Sequence, residues 1–122
     1  MKLDELTLGE IKQLISLFGD KTSKPHPAIG KKVIIRTYSA GVHYGTLESV
    51  DGEQVILSSA IRIWKWAGAF TLTELSSVGT KKPDECKFSI PSKKPITLTM
   101  IEILECTEEA SKSIESVHAY VP

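Results

Sequence analysis

The only two arginines of the chain lie in two segments that are rich in aromatic and small polar residues. Arg36 begins the segment RTYSAGVHYG, and Arg62 lies in IRIWKW, which contains both tryptophans. The other thirteen basic residues are lysines. A guanidinium group binds phosphate or carboxylate through two parallel hydrogen bonds and stacks on aromatic rings. The two segments therefore suggest a pocket for a flat, anionic molecule such as a nucleotide. The alternative is that the arginines form structural ion pairs and the tryptophans belong to the core.

The second segment has the alternation of a β-strand. In a strand over residues 60–66, the isoleucines at 61 and 63 point to one face, which we expect to be the core face. Arg62, Trp64 and Trp66 then point to the opposite face. Because two exposed indoles are costly, we expect a ligand, another subunit or the following helix to cover them. Stacking of a base on an aromatic ring contributes about 1–3 kcal/mol.

The first segment offers groups that complement a nucleotide. Its side chains supply hydroxyls and rings, and a glycine-containing turn can present backbone N–H groups to an anion. The alternative is a plain hairpin in which Ser39, Ala40 and Gly41 only turn the chain. The predicted ligand-binding residues are Arg36, Thr37, Tyr38, Ser39, His43, Tyr44, Arg62, Trp64 and Trp66.

The sequence gives little support for catalysis or for a metal. Ser39 and His43 resemble a nucleophile and its base, but no carboxylate is placed to orient the histidine. The two cysteines and three histidines lack the spacing of metal sites. We therefore expect a protein that is not an enzyme, with no catalytic residue, no metal and no cofactor.

Three parts are predicted along the chain. Residues 1–19 form an amphipathic helix that begins with a capping box, Thr7 and Glu10. Residues 20–31 form a linker, and residues 32–122 form a β-rich core domain. The helix docks either on its own core or on a neighbouring subunit, and the sequence favours neither.

The fold class predicted for the core is α+β, mostly β, as a small antiparallel β-barrel or a strongly twisted sheet with two short helices. The helices begin at Thr71 and Thr107 and end near residues 79 and 116. Strands are expected at 32–38, 42–50, 54–58, 60–66 and 96–106, with a brief strand near Phe88 and an edge strand at 117–121.

The composition limits the binding partners and the cellular location that we expect for the protein. The net charge is zero and the pI is about 6.8, which argues against binding to long nucleic acid. No segment is long and apolar enough to cross a bilayer, and the first residues lack a signal-peptide core. We therefore expect a cytoplasmic protein without a membrane partner. The linked helix and exposed indoles predict a homo-oligomer, a dimer or a tetramer.

Several motifs resemble a family of small phage and prophage proteins. They are the string Arg36–His43 followed by Gly45-Thr46-Leu47, the string Ile63–Ala69, the string Lys82–Phe88 and the strand at 99–107. The resemblance covers roughly residues 31–122. Such proteins are similar to phage anti-defence sponges, which bind cyclic-nucleotide messengers of bacterial CBASS or Thoeris immunity in compact oligomers with pockets at subunit interfaces.

The resemblance implies immune evasion in the cytoplasm of an infected bacterium. The protein would sequester a small nucleotide, such as a cyclic dinucleotide, without cleaving it. Two other readings stay open. One is an inhibitor of protein–protein interactions, or a small virion component, that uses Trp64 and Trp66 as anchors. The other is a small phosphodiesterase in which His43 acts as acid or base.

Overall fold

A computed structural model of the chain describes residues 26–120. The predicted helix at 1–19 and the first part of the linker lie outside these residues. The last part of the linker packs against the sheet. Ala28 is fully buried, and the Gly30 amide donates a hydrogen bond to the Leu47 carbonyl at 2.7 Å.

The chain is mostly β, as predicted, with one antiparallel sheet of five strands. The strands are β1 (Lys32–Thr37), β2 (Val42–Asp51), β3 (Gln54–Lys65), β4 (Lys87–Phe88) and β5 (Ile96–Glu105). Their order in the sheet is β2-β1-β5-β3-β4, and β2 also pairs with β3. The pairings of β1, β2, β3 and β5 therefore form a closed cycle.

The strands predicted at 54–58 and 60–66 are one continuous strand, β3, with a bulge at Ser59. Ser59 has a positive φ of 52°, and between the pairs Thr46–Ser58 and Tyr44–Ile61 strand β3 contains one more residue than β2. An extra residue reverses the faces to which the following side chains point. As a result, Leu57 and Ala60 face the same side, and Ile61 faces the other.

Two cores lie on the two faces of the sheet. The first core contains Val33, Ile35, Leu47, Val55, Leu57, Ala60 and Leu98. The second core contains Ile34, Tyr44, Ile61, Ile63, Phe88, Leu75 and Ile114. Strand β1 is therefore buried on both faces, which explains its continuous β-branched run.

Two helices cover the second core, and both begin where the sequence predicts. Helix α1 (Leu72–Val78) is capped by Thr71, whose hydroxyl accepts a hydrogen bond from the Glu74 amide at 3.1 Å. Helix α2 (Glu108–Glu115) is capped in the same way by Thr107, with the Ala110 amide as donor at 3.0 Å. Each hydroxyl thus satisfies a backbone N–H that lacks a partner within its helix.

The C-terminal prediction is wrong in its extent. Instead of an edge strand over 117–121, the described residues show one parallel bridge between Phe88 and Ala119. The bridge nevertheless brings the end of the chain to β4, and the Tyr120 amide donates to the Phe88 carbonyl at 2.8 Å. Within residues 26–120, neither helix has the length and apolar character that a membrane crossing requires.

Candidate groove beside Arg62

The two arginines lie on opposite faces of the sheet. Residues directly opposite each other on paired strands point to the same face. Arg36 pairs with Val42, which pairs with Ile63 of the second core. Arg62 pairs with His43, which in turn pairs with Ile35 of the first core. Within one chain, therefore, the two guanidinium groups do not line one pocket.

Arg36 makes a surface ion pair. Its Nε donates to Glu102 Oε1 at 2.8 Å, and the two residues are register partners on β1 and β5. Each side chain is nearly half exposed. Arg36 is therefore an arginine that forms a structural ion pair, which was the alternative to a ligand-binding role.

Arg62 lines an open groove together with aromatic side chains. The groove has a volume of about 200 Å³ and is lined by Arg62, Trp64, Phe88, Ser89 and Tyr120. The Trp64 side chain is 75% exposed, and its ring is nearly perpendicular to that of Tyr120, with the centroids 6.4 Å apart. Arg62 and Trp64 also line a second hollow of about 350 Å³. The indole thus offers an accessible face next to a cation.

The backbone around Arg62 is fixed, whereas its guanidinium has no partner in the described part of the chain. The Arg62 amide donates to Ser89 Oγ at 2.8 Å, and the Ser89 amide donates to the Arg62 carbonyl at 3.0 Å. No ion pair within residues 26–120 involves the side chain. The guanidinium lies against Gly41, where a Cβ would stand 3.1 Å from Arg62 Nη2. The local φ of +87° favours glycine, and a Cβ at this position would also require the guanidinium to shift slightly.

Thr37 and His43 hold the turn that supports Arg62. Thr37 Oγ1 donates to the Gly41 carbonyl at 2.7 Å and accepts from the Ala40 amide at 2.8 Å. His43 Nε2 lies 2.8 Å from the Ala40 carbonyl. Burial lowers the pKa of His43, the bond to Ala40 acts in the opposite direction, and the charge of Arg62 lowers it further. A neutral imidazole that donates through Nε2 satisfies this geometry.

The hydroxyl residues at the tip of the turn are exposed. Tyr38 is 88% exposed and Ser39 is exposed beside it. The described hydrogen bonds include none between Ser39 and His43, because the histidine bonds to the backbone instead. The turn therefore lacks the geometry of a nucleophile and its base.

Tyr44 lies on the face opposite to Arg62 and belongs to the second core. Its hydroxyl donates to Glu115 Oε2 at 2.5 Å, and Lys32 Nζ lies 3.2 Å from the same oxygen. Burial first, and then this carboxylate, raise the pKa of Tyr44, while the hydrogen bond from Tyr44 lowers the pKa of Glu115. Together with Ser59, these groups line a separate cavity of about 280 Å³.

Trp66 does not join Trp64. It follows the last residue of β3, is half-buried, and packs against the second core. The alternation predicted from the sequence is confirmed for Arg62 and Trp64, opposite Ile61 and Ile63. It ends with the strand, because the chain leaves the sheet at Lys65.

Three residues of the groove were not predicted from the sequence: Phe88, Ser89 and Tyr120. The sequence indicates a brief strand near Phe88 and a C-terminal strand that contains Tyr120. The pairing of β4 with β3 and the bridge at Ala119 bring these segments together. Such long-range pairings leave no local signal in a single sequence.

The thiols and acidic groups of the described chain do not suggest a metal centre. Within residues 26–120, no three histidine, cysteine, aspartate or glutamate side chains are grouped to hold an ion. Cys86 and Cys106 are free thiols, and burial raises the pKa of Cys106 to about 12. Cys106 is therefore a neutral thiol near pH 7.

Residues 30–114 match the profile of a protein family that is described as a domain of unknown function, DUF6948. The chain belongs to this family. The match includes all five strands of the DUF6948 domain and most of α2, and it contains every groove residue except Tyr120. A comparison with curated proteins found no match.

Proposed function

We propose that this DUF6948 protein binds a small cyclic nucleotide messenger in the groove beside Arg62 and sequesters it without cleavage. One observation carries the proposal: a guanidinium without a partner among residues 26–120 stands next to a largely exposed indole. An aromatic face and an adjacent cation match the two chemical parts of a nucleotide, the base and the phosphate. Stacking on Trp64 contributes about 1–3 kcal/mol, and a charge-assisted hydrogen bond from Arg62 contributes about 1.5–3 kcal/mol.

The size of the groove supports an oligomer. Pockets that enclose a drug-sized ligand have volumes of roughly 300–1,000 Å³. At about 200 Å³, this groove is smaller than such pockets, so part of a larger ligand would stay uncovered. A second subunit that packs over the groove would complete the enclosure. We therefore propose a homo-oligomer, a dimer or a tetramer, with the ligand at a subunit boundary.

Binding without cleavage is supported by the state of His43. A histidine that is buried and bonded to a backbone carbonyl is poorly placed to act as acid or base on a ligand. The role in phage immune evasion rests on the resemblance of the sequence motifs, and the groove supports only its nucleotide-binding part.

A protein–protein interaction is the second candidate, favoured by the exposure of several large apolar side chains. Tyr38, Phe70 and Trp64 are 88%, 90% and 75% exposed, respectively. Exposed aromatic residues of this kind are typical anchors of interfaces. In this reading Trp64 would be covered by a protein partner, and no small molecule would bind.

A panel of cyclic mononucleotides and cyclic dinucleotides distinguishes the candidates. The purified protein is incubated with the panel, separated from free ligand and denatured, and the released material is identified by mass spectrometry. Intact ligand supports sequestration, a cleaved product indicates a phosphodiesterase, and no retained ligand favours the interaction protein.

Trp64→Ala tests where the ligand binds in the same experiment. We expect this variant to retain much less ligand, because it loses the stacking surface. Tyr38→Ala is the matched control, since it removes another largely exposed aromatic side chain, which does not line the groove. Equal retention by wild type and Trp64→Ala would contradict the proposed site.

A further inference from the structure

We infer that the groove selects ligands that carry two separate anionic groups, because cations stand at two places around its aromatic surface. The inference rests on the proposed function and specifies its ligand class. Arg62 supplies the first cation. Lys87 on β4 supplies the second, and Lys65 at the end of β3 lies opposite it in the sheet.

The second group of cations is produced by the strand register. Lys65 and Lys87 are directly opposite each other in the antiparallel pairing of β3 with β4. Like charges at opposed positions destabilise a sheet by repulsion. No ion pair within residues 26–120 involves either lysine, although Asp84 and Glu85 lie three and two residues before Lys87. Neither lysine therefore has an acidic partner within the described part of the chain, and a bound anion would reduce the repulsion between them.

Lys87 is connected to the groove through Tyr120. Its Nζ lies 4.8 Å from the centroid of the Tyr120 ring, and that ring forms an edge-to-face pair with Trp64. Lys87 is thus next to Tyr120, one member of the aromatic pair. Arg62 lines the groove together with Trp64, the other member. A ligand that stacks on the indole and presents one phosphate to each cation would use all of these groups.

Three adenine ligands separate the effect of charge from the effect of a second base. Cyclic AMP has one base and one phosphate, adenosine 3′,5′-bisphosphate has one base and two phosphates, and cyclic di-AMP has two bases and two phosphates. We expect wild-type protein to bind both ligands with two phosphates at least tenfold more tightly than cyclic AMP. Affinities are measured by isothermal titration calorimetry.

Substitution of Lys87 tests whether this residue binds the second phosphate of the ligand. Lys87→Gln should weaken binding of adenosine 3′,5′-bisphosphate and cyclic di-AMP about tenfold. It should change the affinity for cyclic AMP less than twofold. Lys87→Arg, which keeps the charge, should preserve the preference. Lys93→Gln is the matched control, because Lys93 is an exposed lysine that neither lines the groove nor lies over the Tyr120 ring. Thermal melting of each variant verifies that it is folded.

The outcomes separate this inference from the proposed function. If Lys87→Gln weakens all three ligands equally, or none of them, the two-anion inference is overturned while nucleotide binding in the groove stands. If wild-type protein prefers cyclic di-AMP to cyclic AMP but does not prefer adenosine 3′,5′-bisphosphate, it recognises the second base and not the second charge. That result also overturns the two-anion inference. If the protein binds none of the three ligands, the inference is overturned. The panel of cyclic mononucleotides and cyclic dinucleotides then tests the proposed function separately.

Discussion

Substitution of the two arginines by alanine should have opposite consequences, although the sequence alone predicts a ligand-binding role for both. Arg62→Ala should lower nucleotide affinity at least tenfold, which corresponds to about 1.4 kcal/mol. This value lies near the lower end of the range for charge-assisted hydrogen bonds because the groove is open to solvent. Stability should change by no more than about 0.5 kcal/mol, since no ion pair of residues 26–120 involves Arg62.

Arg36→Ala should instead leave affinity unchanged and reduce stability slightly. The lost contact is the 2.8 Å ion pair with Glu102, in which both side chains are nearly half exposed. Surface pairs of this kind contribute about 0.2–1 kcal/mol. Urea unfolding measures the loss of stability, and titration calorimetry measures affinity. Equal loss of affinity in both variants would refute the conclusion that only the face carrying Arg62 binds the ligand.

Four further outcomes are expected. Trp64→Leu should abolish ligand-induced quenching of tryptophan fluorescence, and quenching that persists would place the ligand elsewhere. Tyr44→Phe should lower the free energy of unfolding by about 1 kcal/mol at pH 7, because it removes a hydrogen bond to the partly exposed Glu115 carboxylate. Since the folded-state pKa of Glu115 is lowered from 4.5, this stability is present above that value and is lost as the pH falls through the lower folded-state pKa. The difference from wild type should therefore shrink in acid, and a constant difference would contradict the assignment. Gly41→Ala should cost about 1–2 kcal/mol, because φ is +87° and the new Cβ would approach the guanidinium of Arg62. Light scattering at micromolar concentration should give a mass above the 13.4 kDa of one chain, and a clean monomer would refute the proposed oligomer.

Local patterns predicted much of the fold, because the interactions that they encode are themselves local. The caps at Thr71 and Thr107 need only a hydroxyl and an amide three residues later. The exposure of Arg62 and Trp64 follows from the alternation of a strand in which the neighbouring isoleucines are buried. These features could be predicted without knowledge of the strand partners.

The positions of the site residues relative to one another depend on register, which the sequence does not specify. The two strands predicted at 54–58 and 60–66 are one strand with a bulge at Ser59. The bulge reverses the sheet face to which the following side chains point. The pairing of Arg36 with Val42, and of Arg62 with His43, separates the two arginines. Tyr120 enters the groove through a single bridge at Ala119. Each of these features depends on residues far apart in the chain.

The distribution of charge explains how a chain with zero net charge could present the proposed site for anions. Of the four ion pairs among residues 26–120, two include a residue of β1, Lys32 or Arg36, and a third includes Lys31 just before it. Their acidic partners belong to β5 and α2. The fourth is an i,i+4 pair within α2. None of these pairs includes Arg62, which lines the groove, Lys87, which lies beside the Tyr120 ring, or Lys65, which is paired with Lys87. At physiological ionic strength charges are screened over about 8 Å, so a ligand in the groove responds to these nearby cations and not to the net charge of the protein.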